Sequence, residues 1–136
     1  MALVDLDRFK QVNDEHGHDV ADRVLQAFAA TAKGHTRAGD IACRYGGEEF
    51  VLLLPGANDA QAAARLGHLP QLFGELRFDP PAGLPFGYSF SAGVAVADGT
   101  PEDLAALLAR ADAALYAAKQ AGRGRVLMAA PRGAAA

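Results

Sequence analysis

Apolar residues recur in a pattern that predicts three strands outside one central hairpin. Residues 2–6 form a short apolar run, and residues 125–128 form another near the end of the chain. In residues 88–96 apolar side chains occupy every second position, which places them on one face of a strand. The residues that share this face are Phe90, Ala92, Val94 and Val96. We therefore expect this segment to turn one face toward a core.

The central hairpin is predicted over residues 40–54, where two strand-like runs flank Gly46 and Gly47. Two glycines between such runs indicate a tight turn, because glycine readily adopts positive φ angles. Two acids, Glu48 and Glu49, come directly after the turn. Adjacent strand residues point to opposite faces. Either one acid is buried and paired, or the pair serves a charged ligand.

Helical periodicity marks the segments between these strands. Residues 19–33 repeat apolar positions every four residues, and residues 58–77 predict a weaker helix that breaks near 67–70 at a glycine and a proline. The polar residues 7–18 predict no more than a helical turn followed by a loop. A clean apolar stripe predicts a last helix that Thr100 caps and that ends at Gly122.

The resulting order is β-α-β-β-α-β-α-β, which is typical of an α+β, ferredoxin-like fold. We expect an antiparallel or mixed sheet of about five strands with its helices on one face. The 136 residues suffice for one domain. We place this domain at residues 1–128 and predict a disordered tail at residues 129–136.

Composition narrows the function. The formal net charge of −3 argues against a nucleic acid polymer as partner, because such proteins carry a basic face. The single cysteine, Cys43, forms no internal disulfide and is expected in the core of a cytoplasmic protein. We find neither a secretory signal nor an apolar run long enough to span a membrane.

Acids and bases at the ends of the predicted elements suggest a metal and phosphate site. Asp5 ends the first strand, and if that strand pairs with the hairpin, Asp5 converges with Glu48 or Glu49. Two carboxylates with a backbone carbonyl suit Mg²⁺, which prefers hard oxygen ligands. Lys119 and Arg123, four residues apart, share a helix face on which they could grip phosphates. The residues alone leave open a capping role for Asp5 and a solvated basic helix end.

These motifs, taken in order, resemble the GGDEF domain of the diguanylate cyclase family. The resemblance extends from residue 2 to about residue 127. Its third signature position accepts Asp or Glu, so Glu48 is a normal variant. The matching segments are Asp5-Leu6-Asp7-Arg8-Phe9-Lys10, Asn13-Asp14, Gly17-His18, Asp22, Arg37-Ala38-Gly39-Asp40, Arg44-Tyr45-Gly46-Gly47-Glu48-Glu49-Phe50, Ser91-Ala92-Gly93-Val94-Ala95, Ala111-Asp112-Ala113-Ala114-Leu115-Tyr116-Ala117-Ala118-Lys119 and Gly122-Arg123.

The resemblance implies a nucleotidyl-cyclase-type fold and the condensation of two GTP to cyclic di-GMP with release of two pyrophosphates. It implies that Asp5, Glu48 and the Leu6 carbonyl bind Mg²⁺ or Mn²⁺. Glu49 would bind a second metal ion or help to deprotonate the attacking 3′-hydroxyl. The substrate-binding residues that it implies are Asn13 and Asp22 for guanine, and Phe9, Lys10, Gly46, Gly47, Lys119 and Arg123 for the phosphates and the close approach of the nucleotide.

The resemblance also implies a second, inhibitory site for the product at Arg37 and Asp40. A homodimer is implied at least transiently, because each domain holds one GTP. Two departures stand out: the usual N-terminal helix and turn motif are absent, and Gly124 replaces a common Asn. We therefore keep two hypotheses, an active cyclase and a truncated module that binds cyclic di-GMP or GTP without efficient catalysis.

Overall fold

The computed structural model describes residues 1–132 of the chain. Strands and helices follow the predicted order, with an additional helix in two places. In chain order the elements are β1 (Ala2–Leu6), α1 (Phe9–His16), α2 (His18–Gly34), β2 (Ile41–Arg44), β3 (Glu49–Leu53), α3 (Asp59–Leu66), α4 (Leu69–Gly74), β4 (Phe90–Val94), α5 (Leu104–Gln120) and β5 (Val126–Met128).

The strands form one mixed sheet in the order β2-β3-β1-β4-β5. Strand β1 lies at its centre and pairs antiparallel with β3 on one side and with β4 on the other. The β2–β3 hairpin occupies one edge, and β5 runs parallel to β4 at the opposite edge. The predicted α+β class and five-stranded sheet are confirmed.

Helices cover both faces of this sheet, so the expectation of helices on one face is wrong. One core centres on Phe28 of α2, whose ring lies 4.8 Å from that of Phe50 and 5.0 Å from that of Phe90. A smaller core on the other face joins Leu3 and Val51 to α5. Successive residues of β1 are apolar on both faces, and both faces therefore need cover.

Helix α5 approaches strand β4 more closely than a side chain would allow. A Cβ atom added at Gly93 would lie 2.1 Å from the Ala111 carbonyl oxygen and 2.2 Å from the Leu115 nitrogen. Such distances are far below van der Waals contact. Glycine at position 93 therefore sets the distance between α5 and the sheet.

Several helices begin or end at other residues than the sequence predicted. The polar segment 7–18 forms the complete helix α1, whose only buried side chain is Val12; one apolar contact per two turns is too weak a periodic signal. The last helix is capped by Asp103, which accepts from the Ala106 nitrogen at 2.7 Å, and not by Thr100. Thr100 instead donates its backbone N–H to Asp98. The predicted break after Leu66 is confirmed, since α3 and α4 are separate helices.

Cys43 is exposed and not in the core, because β2 is an edge strand whose four residues are all exposed. The predicted tail begins with residues that make contacts: the Ala129 nitrogen donates to the Val94 carbonyl at 2.6 Å, and Arg132 donates to Thr100 at 2.8 Å. Residues 133–136 lie outside the described residues. Within residues 1–132, none of the helices is both long and apolar enough to cross a membrane.

Candidate active site

The centre of the sheet brings Asp5 and Glu49 side by side. They are direct partners in the antiparallel register of β1 and β3, so both side chains point to the face covered by α5. Lys119, near the end of α5, donates to the Asp5 carboxylate. A strand end, a hairpin and a helix end thus meet at one point, as the sequence predicted for Asp5 and one of the two glutamates.

The electrostatics of this point favour a cation. Burial raises the pKa of Glu49, and repulsion from Asp5 and Glu48 raises it further, while Lys119 opposes the shift. Asp112 on α5 adds to the repulsion, and the sequence motifs did not single it out as a site residue. A divalent cation bound to hard carboxylate oxygens would relieve this repulsion. The acids present therefore fit Mg²⁺ chemically.

These acids suit an Mg²⁺ ion that takes few of its ligands from the protein. In the part of the chain that the structure describes, no three His, Cys, Asp or Glu side chains gather closely enough to hold a metal ion by themselves. Mg²⁺ usually keeps several waters and takes only one or two protein carboxylates together with substrate phosphates. The arrangement suits an ion that arrives with a nucleotide.

Glu48 lines a different cleft from Glu49, although its charge still acts on Glu49. It lies in the turn before β3, and its carbonyl accepts from the Leu6 nitrogen at 3.0 Å. Glu48 is one of the residues that line a cleft of about 320 Å³ at the start of α1 and α2. This α1–α2 cleft also gathers the predicted substrate-binding residues Phe9, Lys10, Asn13, Asp22 and Gly47.

Two features of the α1–α2 cleft suit a polar ligand. Asn13 Oδ1 is buried and has no hydrogen-bond partner among the described residues. Buried polar atoms are nearly always paired, so an unpaired acceptor on a residue that lines a cleft needs explanation. Helix α1 begins after Arg8, at φ 51°, with no side-chain cap for its first amides. Free N–H groups at a helix start favour anions.

The hairpin turn spans more residues than the two glycines. Neither Gly46 nor Gly47 has a positive φ, so the prediction of a two-residue turn with positive φ angles is wrong. Arg44 instead holds the loop by donating to the Gly46 carbonyl at 3.1 Å and to the Gly47 carbonyl at 2.6 Å. A Cβ at Gly47 would meet only open space, which leaves the cleft side of the turn accessible.

Arg123 does not share a helical face with Lys119, because α5 ends at Gln120. It lies in the following loop at φ 65°, and Gly124 follows at φ 63°. Both values are left-handed, where Gly is free and Asn is tolerated better than other residues. The departure from Asn at position 124 therefore preserves the backbone that the position requires.

Arg37 and Asp40 lie apart from these residues, beside a groove of about 720 Å³ between α2 and β2. Asp40 accepts from the Arg37 backbone nitrogen at 2.7 Å and pairs with Arg65 of α3 at 3.3 Å. Arg65 Nε is buried without a partner among the described residues. Arg65 is not among the residues that the sequence predicted for this site.

Comparisons with known proteins identify the chain. The family model described as diguanylate cyclase, GGDEF domain, matches residues 1–125. The chain belongs to the GGDEF family. It is 42% identical over 129 residues to the diguanylate cyclase DgcM of Escherichia coli, an alignment that covers 95% of this chain and 30% of DgcM. The chain thus spans less than a third of the length of this curated relative.

Solved structures agree with this assignment. The active GGEEF domain of a diguanylate cyclase from Vibrio cholerae superposes with a TM-score of 0.82 at 28% identity, covering 96% of this chain and 81% of that one. The GGDEF domain of DgcB from Caulobacter crescentus, solved in complex with cyclic di-GMP, gives 0.79 at 31% identity, covering 93% and 75%. The cyclase-type α+β fold is therefore shared.

Proposed function

We propose that this GGDEF domain condenses two GTP molecules to cyclic di-GMP and two pyrophosphates. The observation that carries the proposal is the α1–α2 cleft, where the orphan Asn13 Oδ1, Asp22, the uncapped start of α1 and Glu48 converge. Guanine has N–H donors along one edge, and adenine lacks the same pair. A carboxylate and an amide oxygen in one cleft therefore favour guanine.

The phosphates would lie between the start of α1 and the basic residues Lys119 and Arg123. Amide groups at Phe9 and Lys10 supply donors that suit an anion. Asp5, Glu48 and the Leu6 carbonyl would hold Mg²⁺ or Mn²⁺. When bound, such an ion neutralises phosphate charge and lowers the pKa of an attacking hydroxyl.

In each half-reaction the 3′-oxygen of one GTP forms a bond to the α-phosphorus of the other, and the bond to pyrophosphate breaks. The 3′-hydroxyl must lose its proton, and Glu49 is the carboxylate that would accept it. Its raised pKa makes it a better base than an ordinary glutamate. Each chain holds one GTP, so two chains must face each other, at least transiently.

The test is base selectivity in the Asp22→Ala variant. We expect its preference for GTP over ATP to fall by about 10- to 100-fold, because the carboxylate that reads the guanine edge is gone. Product would be resolved by chromatography after incubation of the purified chain with each nucleotide and Mg²⁺. Asp19→Ala, an exposed acid in the same first part of α2, is the matched control.

Unchanged selectivity in Asp22→Ala would contradict guanine recognition in the α1–α2 cleft. If the wild-type chain makes no cyclic di-GMP at high protein concentration yet binds GTP or cyclic di-GMP, the alternative is supported. The domain would then be a nucleotide-binding module without efficient catalysis.

We further propose that cyclic di-GMP binds at Arg37, Asp40 and Arg65 and inhibits the enzyme. The partly buried Asp40–Arg65 pair, and the Arg65 Nε that has no partner among the described residues, support a site for a polar, anionic ligand. Arg37→Ala and Arg65→Ala should each raise the concentration of cyclic di-GMP for half-inhibition by about 10-fold. Arg132→Ala, distant in the chain and bonded to Thr100, is the control. Unchanged inhibition in both variants would argue against this site.

A further inference from the structure

We propose that Asp7 is a positioning residue for the triphosphate: its carboxylate fixes the loop that carries Arg123 relative to the start of α1. The inference rests on the proposed function, since it concerns how that GTP site is built. Asp7 is buried, with 7% of its surface exposed.

The Asp7 carboxylate gathers three donors from two distant segments. Its Oδ2 accepts from Ser89 Oγ at 2.6 Å and from the Gly124 nitrogen at 3.0 Å. Its Oδ1 accepts from Ser91 Oγ at 2.7 Å, and the Gly124 nitrogen lies 3.1 Å from the same Ser91 Oγ. We call these four residues, Asp7, Ser89, Ser91 and Gly124, the Asp7 cluster.

All the groups bound to this carboxylate are neutral. None of the ion pairs in the described part of the chain includes Asp7. Burying a carboxylate without a cation is unfavourable unless several hydrogen bonds satisfy it. An ionised carboxylate only accepts, so every donor in the Asp7 cluster must point inward. The cluster therefore has one arrangement, which is what a positioning device needs.

Both oxygens of Asp7 are already engaged, which separates its role from that of Asp5. Among the described residues, the Asp5 carboxylate pairs only with the Lys119 ammonium, and it can exchange this partner for a metal ion. Asp7 would have to release Ser89, Ser91 or the Gly124 amide before it could bind an ion. Asp7 thus acts through the backbone that it holds.

What it holds is the loop between α5 and β5. Arg123 and Gly124 are consecutive residues in the left-handed region, at φ 65° and 63°. That conformation is unfavourable for arginine and persists only where neighbouring contacts fix it. The Gly124–Asp7 hydrogen bond and the bond from the Arg123 nitrogen to the Ala118 carbonyl, 3.0 Å, supply those contacts.

Asp7 also fixes the backbone just before α1, on the other side of the proposed phosphate site. The Asp7 nitrogen donates to the Ser89 carbonyl at 3.1 Å, and Tyr88 donates its hydroxyl to the Asp7 carbonyl. Phe9, two residues later, begins α1. One residue therefore links the amides at the start of α1 to the loop of Arg123, the two groups that would grip opposite sides of a triphosphate.

The Asp7→Asn variant tests this role with little change in shape. Its NH₂ must face either the Ser91 hydroxyl, which would then have to reverse and accept, or the Gly124 amide, which cannot accept. The hydrogen bonding of the Asp7 cluster therefore changes in either orientation. We expect the KM for GTP to rise about 10-fold while kcat stays within about 3-fold, because ground-state and transition-state binding of the phosphates weaken together. Gly124 and Arg123 amide resonances should shift in NMR spectra.

A binding measurement separates the phosphates from the base. In NMR titrations, affinity for a non-reactive methylene analogue of GTP should fall about 10-fold in Asp7→Asn, while affinity for GMP stays within about 2-fold. A general loss of stability would lower the affinity for both ligands alike. Asp98→Asn is the matched control, because Asp98 also accepts from a hydroxyl and an amide, both of Thr100, outside the site.

Equal affinity of wild type and Asp7→Asn for the GTP analogue would overturn the inference while leaving the proposed function intact. If the wild-type chain itself binds the analogue no better than GMP, the proposed function fails, and the inference fails with it. Should Asp7→Asn not fold, Ser89→Ala removes one exposed donor and keeps the carboxylate. It should then raise the KM for GTP about 3-fold, and an unchanged KM would overturn the inference.

Discussion

Glu49 and Glu102 are two glutamates beside helix α5 whose surroundings shift their pKa values in opposite directions. Hydrogen bonds from Arg110, at 2.9 and 3.1 Å, lower the pKa of Glu102. Burial and the neighbouring acids Asp5 and Glu48 raise the pKa of Glu49. One carboxylate has a fixed partner in its own chain, while the other faces like charges.

The difference separates a structural acid from a candidate functional one. The side chain of Glu102 is 4% exposed, and its bidentate pair with Arg110 ties the start of α5 to the Val96 carbonyl. Glu49 keeps an unfavourable charge environment that no neighbour relieves fully. Unrelieved repulsion in a cleft is typical of sites that bind a cation or move a proton.

The largest effect should come from replacing Glu49, the acid that faces like charges. Glu49→Gln should reduce cyclic di-GMP formation by about 100-fold or more, because the proposed base is lost. Removing the unfavourable charge should also raise the metal-free Tm slightly at neutral pH. A raised pKa means that the ionised form is disfavoured in the folded state. Chromatography of products and thermal unfolding with EDTA measure the two effects.

The matching substitution, Glu102→Gln, should lower stability and leave activity nearly unchanged. It weakens the bidentate pair and leaves the Arg110 guanidinium without its carboxylate, so the Tm should fall by several degrees. Activity per folded molecule should remain within about 2-fold, because Glu102 is outside the site. A Glu49→Gln variant with full activity, or an inactive but folded Glu102→Gln, would break the comparison.

The sequence predicted the fold well because periodicity reports burial. The alternation in residues 88–96 and the stripe after Thr100 correspond to β4 and α5. Sequence prediction failed where few side chains are buried. Helix α1 buries only Val12 and was not predicted as a complete helix. Strand β2 is an exposed edge strand, so the prediction that Cys43 lies in the core was wrong. Both failures concern elements at the periphery of the sheet, where apolar patterning carries little information.

The sequence predicted which residues would form the candidate site, but not how each of them is held. Family motifs singled out Asp5, Asn13 and Asp22 as candidates, but not Arg65, which the fold places beside Asp40. The Asp7 cluster was not predicted either, because it joins residues more than 80 positions apart that only the folded chain brings together. Hydrogen-bond networks of this kind leave no periodic signal along a sequence.

A smaller effect is the response of stability to Mg²⁺, which distinguishes an acid that binds an ion from one that is already paired. At about ten times its dissociation constant, an ion that binds only the folded state adds about 1.4 kcal/mol, or roughly 3–5 °C in Tm. We expect this increase in wild type and Glu102→Gln in the presence of a non-reactive GTP analogue. Asp5→Asn should lose it, and an equal increase in Asp5→Asn would argue against Asp5 as a ligand.

The smallest effect is the pH dependence of the Glu102–Arg110 pair. The folded-state pKa of Glu102 lies below its ordinary value of 4.5, so the unfolded chain binds the proton more tightly. The stabilisation is therefore present above pH 4.5 and is lost as the pH falls through the folded-state pKa. The Tm difference between wild type and Glu102→Gln should be largest near neutral pH and shrink as the pH falls below 4.5. Glu75→Gln, an exposed substitution, corrects for the general loss of a charge. A Tm difference that does not change down to the lowest pH would mean that packing, and not charge, makes Glu102 stabilising.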